Sequence, residues 1–286
     1  MISPSEQVAT CLSQSRSFTT ALGDGDPLVW QRWGEGSSEF RPLVLLHGGF
    51  GSWNHWLANL PALMAQRQVW TLDLPGLGAS GDMPEPHTTR HFAEVIWHGL
   101  GELLGPEAHF DLAGFSFGAV IGGDVAALAG RRCERFTMIG AAGFGELHVQ
   151  VSLLPIPSSD TPTAEANEIH RENLRRLMLA KSESVDEMAV HLHADNLARF
   201  RFRSRRLAGS NDLAEVLPDI KARLVGVWGS DDATAGGLVS IEKRAEMLRA
   251  VQTDAEFHIL PGVGHWAMYE APDLVNAILL EERSAQ

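Results

Sequence analysis

Short apolar runs rich in valine and leucine recur along the chain, each followed by a longer amphipathic stretch, and this alternation limits the fold more than any other feature. The runs are RPLVLLHG (41–48), QVWTLDLPG (68–76), HFDLAGF (109–115), RFTMIGAAG (135–143), RLVGVWG (223–229) and AEFHILPG (255–262). The stretches between or after them read as helices over 53–65, 88–104, 117–130, 238–251 and 272–282. A strand–helix repeat of this kind predicts an α/β fold: a mostly parallel sheet covered on both faces, with ligands gathering at the carboxyl ends of its strands. The repeat breaks between about 146 and about 219, a charged region of helical pattern that begins near the proline-marked LLPIPSSDTP. Lying between two strands, it predicts a helical cap, residues 146–219, over a core made of 1–145 and 220–286.

At the end of one run stands GFSFG, with Ser116 between Gly114 and Gly118. Glycines at this spacing suit a strand that reverses into a helix within one residue: the central residue is forced toward positive φ, and a Cβ on either neighbour would collide with the adjoining element. The pattern is a G-x-S-x-G nucleophile elbow when a strand precedes it and a helix comes after it, and both are predicted here.

With 286 residues the chain can bury a large single core, and its net charge of -13 argues against nucleic acid or an anionic membrane as partner. Cys11 and Cys133 sit in no metal-ligand or redox spacing, which fits a reducing cytoplasm. No basic start with an apolar core opens the sequence, and no run approaches a membrane span. The partner expected is a small-molecule substrate; a homo-oligomer stays open.

Residues just beyond the other strands decide the chemistry. HGGFGSW (47–53) is a glycine-rich turn able to bring backbone N–H groups beside Ser116; Asp231 and Asp232 come after one late strand, and His265 comes after the last. A serine hydroxyl needs a base, the base needs a third group to fix its tautomer, and a forming oxyanion needs preorganised donors. Either aspartate could serve as the third group. No cofactor is called for, and no metal: His191 and His193 at spacing two have no further ligands nearby.

HGG at 47–49, DLPGLGAS at 73–80, GFSFG at 114–118, WGSDD at 228–232 and GVGHW at 262–266 together resemble the α/β-hydrolase fold superfamily, over a span from Arg41 to the last helix. The resemblance implies a serine hydrolase with Ser116 as nucleophile, His265 as base and Asp232, four residues after the strand-ending Trp228, as the acid. It implies Gly49 and Phe117 as oxyanion donors, and it makes His47 and Asp73 loop-ordering residues. Serine at the elbow sets the chain apart from the haloalkane dehalogenases and epoxide hydrolases of this fold, which use aspartate there.

Two reactions remain. GHWAMYE (264–270) is similar to the stretch after the catalytic histidine in carbon–carbon hydrolases of aromatic ring-fission products, which carries Trp266 over as a pocket wall; Phe50 joins it as a pocket residue, and Phe144 reads as a pocket residue or a packing one. Those enzymes show a longer HGGGPGA loop and an asparagine before the serine, where this chain has HGGFGS and Phe115. Hydrolysis of a small carboxylic ester therefore ranks first and carbon–carbon hydrolysis second. A small-molecule receptor that retains the triad is the reading of another class. In ARFRFRSRR (198–206) the arginines read as cap surface or, alternatively, as one guanidinium facing the pocket to take a substrate carboxylate; Phe200 and Phe202 read as packing residues.

Overall fold

A computed structural model of the chain describes residues 2–23, 26–36 and 40–281. Eight strands form one sheet: β1 (Arg16–Thr20), β2 (Leu28–Trp33), β3 (Leu43–Leu46), β4 (Val69–Leu72), β5 (Phe110–Phe115), β6 (Cys133–Ile139), β7 (Arg223–Gly229) and β8 (Glu256–Leu260), in the order β1-β2-β4-β3-β5-β6-β7-β8. From β4 through β8 every neighbour is parallel, and β3 lies between β4 and β5, with Leu43 opposite both Val69 and Asp111. The first two strands are antiparallel to each other, and β2 is antiparallel to β4.

Burial explains why the central strands read as unbroken apolar runs. In β3, Val44 and Leu46 belong to one hydrophobic cluster and Leu43 and Leu45 to another, one on each face of the sheet. The first cluster takes in Phe92, Ile96 and Leu100 of α3 (Thr89–Leu104), much of α4 (Phe117–Ala129), and Ile241 and Leu248 of α9 (Leu238–Val251). The second takes in Leu60 and Leu63 of α2 (Leu60–Met64) and Val275, Ile278 and Leu279 of α11 (Pro272–Leu280). At about 1.5–3 kcal/mol for each large apolar side chain removed from water, these two layers are the main source of stability.

Two local differences from the expectation have physical causes. The β1–β2 hairpin and the helix before it, α1 (Pro4–Ser13), were not expected; β1 lies at the sheet edge and is mostly polar and exposed, so it lacks an apolar run. The helix expected over 53–65 is two pieces, a 3₁₀ turn at Trp53–Trp56 and then α2, because Pro61 fits only the first turn of a helix. The last helix ends at Leu280, and residue 282 lies outside the described residues.

Between β6 and β7 the chain forms α5 (Thr163–Leu177), α6 (Glu187–Arg199), α7 (Arg205–Ala208) and α8 (Asp212–Val216), preceded by the extended segment that carries Pro155 and Pro157. This stretch is bonded to the rest at several places. Ser52 donates to Asn196 at 2.9 Å, and Asn196 in turn donates to Asn54 at 2.8 Å. The amides of Arg201 and Phe202 both donate to Gly76 O, and Gly143 N donates to Ala208 O. α10 (Ala267–Glu270) completes the set of helices. Among the described residues no helix is long and apolar enough to cross a membrane.

Candidate active site

Ser116 sits between β5 and α4 with φ 51° and ψ -115°, one of two non-glycine residues at positive φ among those described, the other being Phe50. The flanking glycines are required by contact. A Cβ on Gly114 would lie 2.5 Å from Ala119 Cα, and one on Gly118 2.4 Å from His47 O, so neither site admits a side chain without moving backbone. The Ser116 amide donates to Ile139 O at 2.9 Å, which ties the strained residue to the next strand.

The loop after β8 brings His265 to this serine, with Nε2 3.0 Å from Ser116 Oγ. On its other side, His265 Nδ1 lies 2.8 Å from Asp232 Oδ2, on the loop after β7. The second carboxylate oxygen of Asp232 accepts from the amide and the hydroxyl of Thr234, each at 2.8 Å. Burial pushes the Asp232 carboxyl up, but the adjacent His265 and the hydrogen bonds from His265 and Thr234 outweigh it and hold the group below the usual carboxylate range. Asp231 is exposed and takes only the neighbouring Ser230 hydroxyl, at 3.0 Å, so geometry separates the two aspartates that stand side by side in the sequence.

Gly49 and Phe117 line the same cavity as Ser116, and a Cβ on Gly49 would stand 3.8 Å from the Phe117 Cβ. Among the described residues no acceptor in the chain takes either amide. His47 and Asp73 hold loops: His47 Nε2 accepts from Leu74 N at 2.8 Å while Nδ1–H donates to Gly48 O, and Asp73 accepts from Trp53 N and Ala79 N, each at 2.8 Å.

Two cavities share Gly49, Phe50 and Leu153 in their walls, and Ser116 lines one of them. The smaller, about 100 Å³, is lined by Ser116, His265, Thr234, His148 and Arg205 among others. The larger, about 230 Å³, is mostly apolar, with Leu153, Leu154, Leu177, Met178 and Trp266 in its wall. Phe50 lines both and packs edge-on against Phe200 at 5.0 Å. Phe144 is different: it lines neither cavity, and its ring meets Trp228 at 6.1 Å and lies under the Arg244 guanidinium. It is a core residue because it is buried behind the loop that carries Asp232. The larger cavity also holds His55 and His193. Burial is the main cause holding both well below the ordinary histidine range, His193 down to about 3, so both are neutral at pH 7. His193 contacts His170 at 3.1 Å rather than His191, and among the described residues no group of three metal-ligating side chains forms.

The arginine run divides. Arg199 pairs with Asp195, Arg201 with Asp82, and Arg206 donates to His87 O. Arg205 lines both cavities, and no acid or carbonyl engages its guanidinium among the described residues. Phe202 packs on Phe92 and Phe117.

Residue types alone did not single out three supports of the site. Thr234 orients Asp232. Arg244, buried at 1% exposure, donates to Ala235 O and Leu147 O, and burial lowers its pKa to about 10. Glu270 accepts from Gly264 N, Ala180 N and Lys181 N, joining the His265 loop to the segment after α5. Its only sequence signal is its place in GHWAMYE, five residues after His265.

Residues 43–278 match the model of the alpha/beta hydrolase family. This chain belongs to that family. Among curated proteins, the hydrolase is 32% identical to the dihydrolipoyllysine-residue acetyltransferase component of the acetoin cleaving system of Pseudomonas putida, over 87% of this chain and 65% of that one, so it spans under two thirds of that relative's length. It is 26% identical to the 2-hydroxy-6-oxononadienedioate/2-hydroxy-6-oxononatrienedioate hydrolase of Comamonas testosteroni, over 86% of this chain and 88% of that one. Among solved structures, the meta-cleavage product hydrolase of Pseudomonas fluorescens IP01 superimposes with a TM-score of 0.69 at 22% identity, over 92% of this chain and 95% of that one. The matches establish the α/β hydrolase fold and membership in an enzyme family.

Proposed function

We propose that this α/β hydrolase is a serine hydrolase that cleaves a small carboxylic ester, with Ser116 as nucleophile, His265 as general base and acid, and Asp232 as the orienting acid. The observation that carries this reading is the unbroken line from Ser116 Oγ through His265 to Asp232, at 3.0 and 2.8 Å. Asp232 fixes the proton on Nδ1, which leaves Nε2 to accept the serine proton as Oγ attacks the carbonyl carbon. The carbonyl oxygen, now negative, is taken by the Gly49 and Phe117 amides, the latter at the start of α4. His265 passes the proton to the leaving alkoxide, and water then repeats the sequence on the acyl-enzyme. Residues 146–219 act as the cap: Leu153, Leu177, Met178 and Arg205 come from it and close the cavity over the serine.

Carbon–carbon hydrolysis of a ring-fission acid is the second reading. Arg205, which lines both cavities with no acid or carbonyl on its guanidinium among the described residues, favours it, as does the likeness to hydrolases of that kind. Phe115, where those enzymes carry asparagine, weighs against it by removing a polar group beside the serine.

Replacing Ser116 with Ala is expected to abolish fluorophosphonate labelling and lower turnover on the order of 10³-fold or more. Labelling that persists in that variant would overturn the assignment of the nucleophile, and stoichiometric labelling of wild type without turnover of any ester would favour a receptor. Kinetics of Arg205→Met on matched neutral and carboxylate-bearing substrates separates the two reactions: a selective rise in KM for the anions supports the carbon–carbon reading, and an equal effect on both supports the ester reading.

A further inference from the structure

We propose that His148 is a substrate-binding residue whose Nε2–H donates a hydrogen bond to an oxygen on the leaving-group half of the substrate, which makes the preferred substrate one whose departing fragment carries a hydroxyl, keto or carboxylate oxygen near the scissile bond. The proposal rests on the serine-hydrolase reading and adds to it a binding residue and a substrate class.

His148 is fixed on both sides by the machinery that holds the acid. Leu147 O accepts from Arg244 Nη2 at 2.6 Å, and Val149 N donates to Thr234 O at 2.9 Å, Thr234 being the residue bonded to Asp232. The backbone around His148 is therefore held by Arg244 of α9 on one flank and by Thr234 of the Asp232 loop on the other, and His148 lines the small cavity with Ser116 and His265. The two ring nitrogens differ. Nδ1 is shut away from solvent and has no hydrogen-bond partner, whereas Nε2 is not among the buried unpartnered atoms.

A buried N–H without an acceptor is rarer and more costly than a buried lone pair without a donor. The proton of the neutral ring thus belongs on Nε2. Burial, reinforced by the nearby His265 and Arg244, lowers the His148 pKa and keeps the ring neutral, a donor at one nitrogen only. His265 must hand its proton to the leaving atom, so the departing fragment occupies the His265 side of the cavity, where His148 stands.

The propyl and 2-hydroxyethyl esters of butyric acid share an acyl group and differ by a single terminal hydroxyl in the leaving group. Wild type is expected to favour the hydroxyethyl ester in kcat/KM. The ratio of the two values should fall about tenfold in His148→Phe and recover in part in His148→Gln, which restores an N–H donor. An unchanged ratio in His148→Phe overturns the proposal. If wild type turns over neither ester, calorimetry on Ser116→Ala decides: tighter binding of the hydroxyethyl ester, lost in the Ser116→Ala/His148→Phe double variant, supports the role, and equal binding overturns it. Fluorophosphonate labelling of wild type reports separately on the serine-hydrolase reading, since His148 takes no part in that attack.

Discussion

Asp231 and Asp232 are adjacent, chemically identical and placed after the same strand, yet only Asp232 reaches His265, at 2.8 Å. Asp232→Asn is expected to lower turnover by orders of magnitude, because His265 would be left in the wrong tautomer with its cation unsupported, while Asp231→Asn costs little; steady-state kinetics of the pair checks this. The same carboxylate has a signature in stability. Its folded pKa lies below the roughly 3.9 of an unfolded aspartate, so its contribution is complete above about pH 4 and is lost as pH falls through the lower folded value. Between pH 5 and pH 3 the urea midpoint should therefore drop further in wild type than in Asp232→Asn. That Ser116 and His265 would meet was legible because each comes just after a strand end, Ser116 between the glycines of GFSFG and His265 after the glycine of GVGHW. Phe144 was not, because an aromatic residue after a strand looks the same whether it faces a ligand or, as here, Trp228 and Arg244.

At the scale of elements, the elbow works only if β5 and α4 approach within a side chain's width of each other. Gly118→Ala would place a methyl 2.4 Å from His47 O, so the helix start, the serine and the glycine-rich turn must shift together. A destabilisation of about 1–3 kcal/mol from overpacking and a lower kcat are expected together, read by melting and ester kinetics on the same preparation. The parallel-sheet runs were readable because burial on both faces makes a strand uniformly apolar. The β1–β2 hairpin escaped for the opposite reason: an edge strand that is mostly polar and exposed has no such run, and the pairing of β2 with β4, about 40 residues on, is long-range information that composition does not hold. Within 146–219 the helical pattern was plain, but which arginine of the run lines the cavities, Arg205, is visible only in the fold.

Across the whole molecule, the two ends of the core are joined by buried arginines. Arg67, at 1% exposure, donates to Asp111 at 2.6 Å, to Arg41 O and to Leu279 O, so the connection before β3, β5 and the last helix meet on one guanidinium. Arg67→Met removes the closer guanidinium of the buried Asp111 carboxylate and leaves Arg41 at 3.4 Å, and a loss of about 1.5–3 kcal/mol is expected, measurable as a shift in the urea midpoint. Nothing in the sequence around Arg67 announces this; a lone arginine at the end of a short helix reads as surface. The bonds along 146–219 carry a further consequence. Asn196, Arg201, Phe202, Ala208, Leu147 and Lys181 are each hydrogen-bonded to residues outside that segment. Opening this segment as one body would break all of these bonds at once, so substrate entry is expected to depend on the side chains that line the cavity, Phe50 and Arg205 among them.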